Sequence, residues 1–293
     1  MSAAGPSQGA NRAPSGGSAA APAASVGVVS TAAEAHQGRV AILMYHIVGE
    51  PLSAREARYC CSPERFEVHM RHLADAGTKL LTLDTIADAL DGRVDWPADS
   101  VAVTFDDGFA DTFVNALPVL ARYRIPATMF ALSDRIGASN DWMTARGSPA
   151  RSLMTATQLR EMVAAGVTVG SHTRTHPRLP QLDAKAKRDE ILGSKARLED
   201  LLGCGVANFA YPYGLFDEDA RLAVAEAGYR SACSVRTGFN GPDVDRFLLR
   251  RIEVYGSDTL WRFRQKLKFG ANDVSHFYPI RYYAGRISAR LGF

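Results

Sequence analysis

Hydrophobic positions in this chain recur as short apolar runs separated by stretches of helical period. Residues 39–48 (Arg-Val-Ala-Ile-Leu-Met-Tyr-His-Ile-Val) are apolar nearly throughout, which predicts a first strand buried on both faces. A helix follows from Ser62, with Pro63 at its first position, Phe66, Met70 and Leu73 as its apolar stripe and Gly77 as its stop. His69 and His72 on that helix are expected to be surface or hydrogen-bonded histidines. Residues 80–83 predict a short strand, 84–90 a short helix and 101–105 (Val-Ala-Val-Thr-Phe) a buried strand. Residues 111–123 predict a helix with Leu117 and Leu120 inward and a kink at Pro118. A strand over 126–132, a long polar loop over 139–152 and a helix over 157–165 come next. Asp183 caps a helix that runs to Leu202, with Leu182, Ile191 and Leu198 on its buried side and Lys185, Lys187 and Arg188 on its solvated side. A strand over 206–210, a helix from Asp217 to Gly228 and closing strands over 230–235 and 247–254 complete the pattern. Strands alternate with helices in about seven units, which predicts a parallel α/β barrel with right-handed crossovers.

Composition narrows this picture. The 293 residues, 46% hydrophobic and 22% charged, suit one globular domain with a large core. A net charge of +3 is too small to imply nucleic acid. Cys60, Cys61, Cys204 and Cys233 show no Cys-x-x-Cys spacing, and neighbouring Cys60 and Cys61 cannot easily pair. All four are expected to be thiols in a reducing compartment. No apolar run is long enough to span a membrane.

The two ends differ from the middle. Residues 1–37 are rich in Ala, Gly, Ser and Pro, lack aromatics and leucine, and predict a disordered tail. The stretch from Ala19 to Val29 is a poor signal-peptide core, because it lacks Leu, Ile and Phe and is broken by Pro22. A cytoplasmic location is expected, with the periplasm as the alternative. Residues 257–293 form an appended segment beyond a 38–256 catalytic domain. From Trp261 onward it carries seven Arg or Lys against one Asp273, interleaved with eight aromatics. Such a segment suits peripheral contact with an anionic membrane, and ordinary packing of a C-terminal helix fits it equally.

The candidate chemistry lies at strand ends. Thr104-Phe105-Asp106-Asp107-Gly108 closes one strand with two adjacent carboxylates, which repel each other unless a cation or a proton lies between them. Asp107-Gly108 alone reads as a turn. Ser171-His172-Thr173-Arg174-Thr175-His176 closes another strand with two histidines spaced i, i+4. A parallel α/β fold gathers strand C-termini on one face. Two histidines and one carboxylate with an open position make a catalytic zinc arrangement, and a leftover carboxylate beside it is a candidate general base.

These two motifs, with Phe209-Ala210-Tyr211-Pro212-Tyr213-Gly214 as a third, resemble the polysaccharide deacetylases, the NodB-homology domains of carbohydrate esterase family 4. The resemblance spans about 40–254 and, with three ordered motifs, is highly specific. It implies an α/β fold of the distorted (β/α)7 barrel type and removal of N-acetyl groups from N-acetylhexosamine units of a bacterial glycan or its lipid-linked precursor. It implies that Asp107, His172 and His176 hold a divalent metal, zinc first, with cobalt, nickel or manganese as alternatives. It makes Asp106 the base and the Tyr213 N–H an oxyanion donor, and sets Tyr211 and Trp142 toward an acetylated glycan; Trp142 reads equally as a loop-packing residue. The early Met-Tyr-His is similar to the circularly permuted subgroup that acts on poly-N-acetylglucosamine, which implies that His46 is the proton donor; otherwise it is a hydrogen-bonded rim residue. His276 ranks below it. Where the family often carries an arginine, this chain has Ala210; Arg251, in a Leu-x-Arg-Ile pattern, or Arg250 is expected to supply the charge. The rival readings are an O-acetyl esterase with the same machinery and a non-catalytic glycan binder. The latter predicts loss of a ligand or of Asp106, and all four residues are present.

Overall fold

The computed structural model describes residues 38–275 and Tyr278. Its first half runs β1 (Val40–Tyr45), β2 (Ile47–Val48), β3 (Cys60–Cys61), α1 (Pro63–Asp75), β4 (Lys79–Leu80), α2 (Leu83–Leu90), β5 (Ser100–Phe105), α3 (Ala110–Tyr123) and β6 (Ala127–Ala131). Its second half runs α4 (Asp141–Thr144), α5 (Ala156–Ala164), β7 (Thr168–Ser171), α6 (Ala184–Leu202), β8 (Asn208–Ala210), α7 (Glu218–Glu226), β9 (Ser231–Cys233), β10 (Ile252–Glu253) and α8 (Leu260–Phe269).

The main sheet has the order β10-β1-β5-β6-β7-β8-β9, with every pair parallel, and β4 adds to the start of β5. Its two edges are joined by one segment. Leu249 bridges Cys233 of β9, and three residues later Ile252 pairs with Leu43 of β1. The sheet thereby closes as a distorted α/β barrel of seven strands in the ring, as expected of the NodB-homology type. Short β2 and β3 form a separate pair beside the rim, so residues 39–48 are two strands broken at His46 and not one.

Strand alternation divides the core in two. Val101, Val103 and Phe105 face the helices with Leu43, Tyr45, Met129 and Phe209. Val40, Ile42, Ala102, Phe130, Ala210, Cys233 and Leu249 form a second cluster, which Leu83 and Ile86 of α2 join. Each fully buried Leu, Ile or Phe in these layers contributes roughly 1.5–3 kcal/mol relative to exposure.

Six helices are capped at their first turn, three of them at the expected Ser62, Asp183 and Asp217. Ser62, Thr82, Thr155, Asp183, Asp217 and Thr259 each accept a backbone N–H of the first turn. One helix face differs from expectation. Lys187 is buried, on the stripe of α6 shared by Ile191, Ser194 and Leu198, and its ammonium pairs with Asp217, the cap of α7. His69 is a satisfied core residue, 3.2 Å from the Tyr45 hydroxyl and 3.0 Å from the Asp258 carbonyl. Its ring stacks on Phe263 of α8 at 4.1 Å, and burial pushes its pKa down to about 3.

Within the C-terminal segment, α8 is seated against the barrel, with Phe263, Lys266 and Phe269 buried. Lys266 pairs there with Asp258 at 2.6 Å. His276, Phe277, Tyr282, Tyr283 and Phe293, like the tail over 1–37, lie outside the described residues. The four cysteines are free, and three of them are buried. No described helix is long and apolar enough to cross a membrane.

Candidate active site

Strand alternation carries through to the rim. Asp106 continues the face of Ala102 and Thr104, and its N–H donates to the Tyr45 carbonyl at 3.0 Å. The chain then turns sharply, with Asp107 at φ 73° and Gly108 at φ 78°, which lets the next carboxylate join the same side. At the end of β7 the His172 N–H donates to the Ala131 carbonyl at 2.9 Å. Beyond it Thr173 and His176 also adopt the left-handed region, at φ 71° and 65°. Non-glycine residues held there cost about 1–2 kcal/mol each and persist when their surroundings over-determine them. Here Glu190 of α6 does so. It accepts the N–H groups of Arg174 and Thr175 at 2.8 and 3.0 Å and the Thr175 hydroxyl at 2.6 Å.

Asp107, His172 and His176 are buried, and one donor atom from each lies within 4.8 Å of the others. Asp107 Oδ1 is 3.5 Å from His172 Nε2 and 3.3 Å from His176 Nε2, yet it has no hydrogen-bond partner. A buried carboxylate oxygen without a partner is costly unless a cation completes it. The His172 Nδ1–H donates to the Ala210 carbonyl at 2.8 Å. This fixes the tautomer and turns the Nε2 lone pair toward Asp107, as the outer contacts of metal-binding histidines do. Burial pushes the His172 pKa down to about 4, so the ring is neutral at pH 7. Burial alone would raise Asp107, but His176 and His172 outweigh it and hold the carboxyl well below the usual range. The donor set therefore fits a divalent metal of the zinc type.

Asp106 is also buried and is gripped bidentately by Arg251 at 2.6 and 2.8 Å. Arg251 is fully buried, and its Nε–H donates to the Ser234 carbonyl at 3.0 Å. Against the raising effect of burial, the Arg251 charge and then His172 bring the Asp106 pKa below the ordinary carboxylate value. Arg250 is exposed. The charge missing at Ala210 thus arrives from the segment that closes the barrel.

Around these groups lies a cleft of about 570 Å³ that also borders His46, Tyr59, Trp142 and Tyr213. His46 is half-buried, its ring 5.1 Å from that of Tyr59, and its Nδ1 is buried without a partner. Tyr213 sits at φ 57° with its ring edge-on to His176 at 4.4 Å. Trp142, on α4 within the expected loop, lies 4.9 Å from His176 and 6.5 Å from Phe109, so it both packs and lines the cleft. Tyr211 is a correction. Its ring is fully buried against Phe209 and Phe216 in the outer core, because it shares the strand face of Phe209; it borders the cleft without presenting a ring to a sugar. No motif in the sequence pointed to Arg55, Tyr59, Arg146 or Arg178 near the site, since they lie on loops without a pattern.

A buried Asp–His–His set beside an arginine-held carboxylate, at the C-terminal rim of a parallel barrel, defines an α/β-barrel hydrolase with a site suited to a metal. The polysaccharide deacetylase family model matches residues 93–232, a span that contains Asp106, Asp107, His172, His176 and Tyr213 but neither His46 nor Arg251. YxkH of Bacillus subtilis strain 168 is 28% identical over 216 residues, covering 74% of this chain and 71% of YxkH. The poly-beta-1,6-N-acetyl-D-glucosamine N-deacetylase of Staphylococcus epidermidis is 29% identical over 206 residues, 67% of this chain and 68% of that protein. Among solved structures, IcaB from Ammonifex degensii superposes with a TM-score of 0.68 at 27% identity, covering 80% of this chain and 97% of IcaB. The Streptococcus pyogenes deacetylase PplD gives 0.67 at 25% identity, over 78% and 98%. Residues 93–232 thus carry a polysaccharide deacetylase domain, and the chain resembles the permuted poly-N-acetylglucosamine subgroup.

Proposed function

We propose that this deacetylase is a metal-dependent de-N-acetylase acting on N-acetylhexosamine units of a bacterial glycan or its lipid-linked precursor. One observation carries the reading: the unpartnered Asp107 oxygen between two histidine nitrogens, beside an Asp106 that Arg251 holds ionised. Asp107, His172 and His176 would hold a divalent cation, which would supply polarisation of the acetyl carbonyl and acidification of water. Asp106 takes the proton of the attacking water. Arg251 keeps Asp106 charged and fixed, so that its lone pair is presented without reorganisation. The Tyr213 N–H donates to the oxygen of the tetrahedral species. His46 gives a proton to the departing nitrogen, because an amide anion is a very poor leaving group. Acetate and a free amine result.

Asp106→Asn tests this directly. The amide cannot accept the water's proton, so acetate release from N-acetylglucosamine oligosaccharides should fall on the order of 10²–10⁴-fold, with metal content unchanged by elemental analysis. An Asp106→Asn protein that retains full activity would assign the base elsewhere.

A further inference from the structure

We propose that the outer wall of the cleft is an anion subsite. The glycan deacetylated here would then carry a negative group, a carboxylate or a phosphate, close to the N-acetylhexosamine that loses its acetyl. The inference rests on the deacetylase reading for its chemistry and on three arginines for its specificity. Arg55 and Arg146 line the same cleft as Asp106, Asp107, His172 and His176. The Arg146 guanidinium lies 4.8 Å from the centre of the Tyr213 ring and that of Arg178 4.9 Å from the same centre. That ring meets His176 at 4.4 Å. Two cations therefore stand one aromatic ring away from the Asp–His–His set. Arg55 joins them by donating to the Arg146 carbonyl at 2.9 Å.

These charges are not neutralised within the described residues. Many surface arginines here have a carboxylate in contact, as Arg122 has Glu67, Arg188 has Glu226 and Arg230 has Asp88. Arg55, Arg146 and Arg178, all exposed, form no such pair among the described residues. The carboxylates of the cleft are already committed. Asp106 holds Arg251, Asp107 belongs to the histidine set, and Glu253 pairs with Arg58 at 3.2 Å. What faces the cleft's mouth is a surplus of positive charge.

The segments bearing Arg55 and Arg146 are also tied together by a buried pair. Arg151 makes a bidentate pair with fully buried Glu56, at 3.0 and 2.8 Å. Its own N–H donates to Asn140 Oδ1 at 2.7 Å, and Asn140 Nδ2 donates to the Pro149 carbonyl at 3.1 Å. Glu56 follows Arg55 in the chain, and Asn140 and Arg151 flank the segment that bears Trp142 and Arg146. A buried pair is weak evidence for stability and stronger evidence for a fixed register, and here the register fixed is that of the cleft wall.

A guanidinium fork matches carboxylate and phosphate oxygens, and neither a hydroxyl nor an acetamido group gives it a charged partner. The same wall disfavours the product of a neutral amino-sugar polymer, since each deacetylation leaves an ammonium that like charges repel. An anionic neighbour on the glycan offsets that repulsion.

The test compares acetate release from oligosaccharides of equal length. One is neutral N-acetylglucosamine, one carries a terminal phosphate, and one alternates N-acetylglucosamine with glucuronic acid. At least one anionic substrate should exceed the neutral one in kcat/KM by roughly tenfold at low salt, since three exposed charges each contribute modestly. The ratio should shrink toward one as salt rises to about 0.5 M. Which anionic substrate leads distinguishes phosphate from carboxylate. Arg55→Gln, Arg146→Gln and Arg178→Gln combined should collapse the ratio, and the triple lysine variant should keep part of it. A neutral substrate that equals or exceeds both anionic ones, or a ratio untouched by the triple glutamine variant, overturns the inference while leaving the deacetylase reading intact. If no substrate releases acetate, that reading fails, and calorimetry with the same oligosaccharides decides the subsite. Tighter binding of the anionic forms, lost in the triple glutamine variant, sustains it; equal binding overturns it.

Discussion

Arg251→Met removes one half of a pair that is buried on both sides. Asp106 would lose two charge-assisted hydrogen bonds, at 2.6 and 2.8 Å, and the Ser234 carbonyl would lose its donor. Stranding one partner of a buried ion pair costs about 3–5 kcal/mol, because the charge left behind is neither hydrated nor matched. The pH dependence has a definite sign. Burial raises the Asp106 pKa, and Arg251 is the first of the influences that bring it below the ordinary value. A carboxyl with a depressed folded pKa contributes stability that is present above its unfolded pKa, about 4, and is lost as pH falls through the folded value. Without Arg251 the folded pKa rises. The deficit against wild type should therefore be largest near neutral pH and should shrink in acid, where both proteins carry a protonated Asp106. Urea unfolding of metal-loaded wild type and variant across that range measures it. The same change should move the acid limb of kcat/KM to higher pH, each unit of movement corresponding to about 1.36 kcal/mol. Arg251→Lys keeps the charge without the fork and should fall between. Arg251→Met combined with Asp106→Leu should recover most of the stability and none of the activity, since an apolar pair leaves no buried charge unmatched. A single variant within about 0.5 kcal/mol of wild type at neutral pH, with an unmoved acid limb, would show that Arg251 neither holds nor tunes Asp106.

Two further outcomes follow from the same geometry. His172→Ala and His176→Ala should each abolish retention of a divalent metal by elemental analysis, and in wild type X-ray absorption should give Zn–N distances of about 2.0–2.1 Å if zinc is loaded; retention by either variant would remove that histidine from the set. His46→Ala should keep the metal and slow N-acetyl hydrolysis by roughly 10²–10⁴-fold, with far less effect on activated aryl acetates, whose leaving group needs no proton; equal loss on both would make His46 a structural residue.

The parts of the site that were legible in the sequence are those set by strand ends. Asp106–Asp107 and His172 each follow an apolar run that ends in a sharp turn, and a parallel barrel brings such ends to one rim whatever lies between them. The misreadings share a physical cause, which is assigning a face by residue type when position decides it. Lys187 stands four residues before Ile191, seven before Ser194 and eleven before Leu198, all on one stripe of α6. Helical spacing put it inside, and Asp217, far off in sequence, made that position tolerable. Tyr211 stands two residues after Phe209 and so shares its outer face, although the resemblance of its motif set it toward the glycan. The Glu56–Arg151 pair and the arginines it braces left no mark of either period, because loops carry none.

Arg251 joins these two lessons. Arg251, next to Arg250 in a largely apolar closing strand, reads as a solvated residue if its chemistry is consulted, and as an inward residue if its alternation with Leu249 is followed. The second reading requires a buried anion opposite it, and strand β5 supplies one at Asp106, on the face of Ala102 and Thr104. The two halves of the pair lie 145 residues apart. They meet because the closing segment bonds both edges of the sheet, through Leu249 to β9 and Ile252 to β1. The charge that tunes the base is thus fixed by barrel closure and not by any local motif. It can be supplied from another strand when, as at Ala210, the expected strand has none. What the site requires is a guanidinium at the Asp106 carboxylate, and a closed ring of inward-facing positions offers more than one place from which to deliver it.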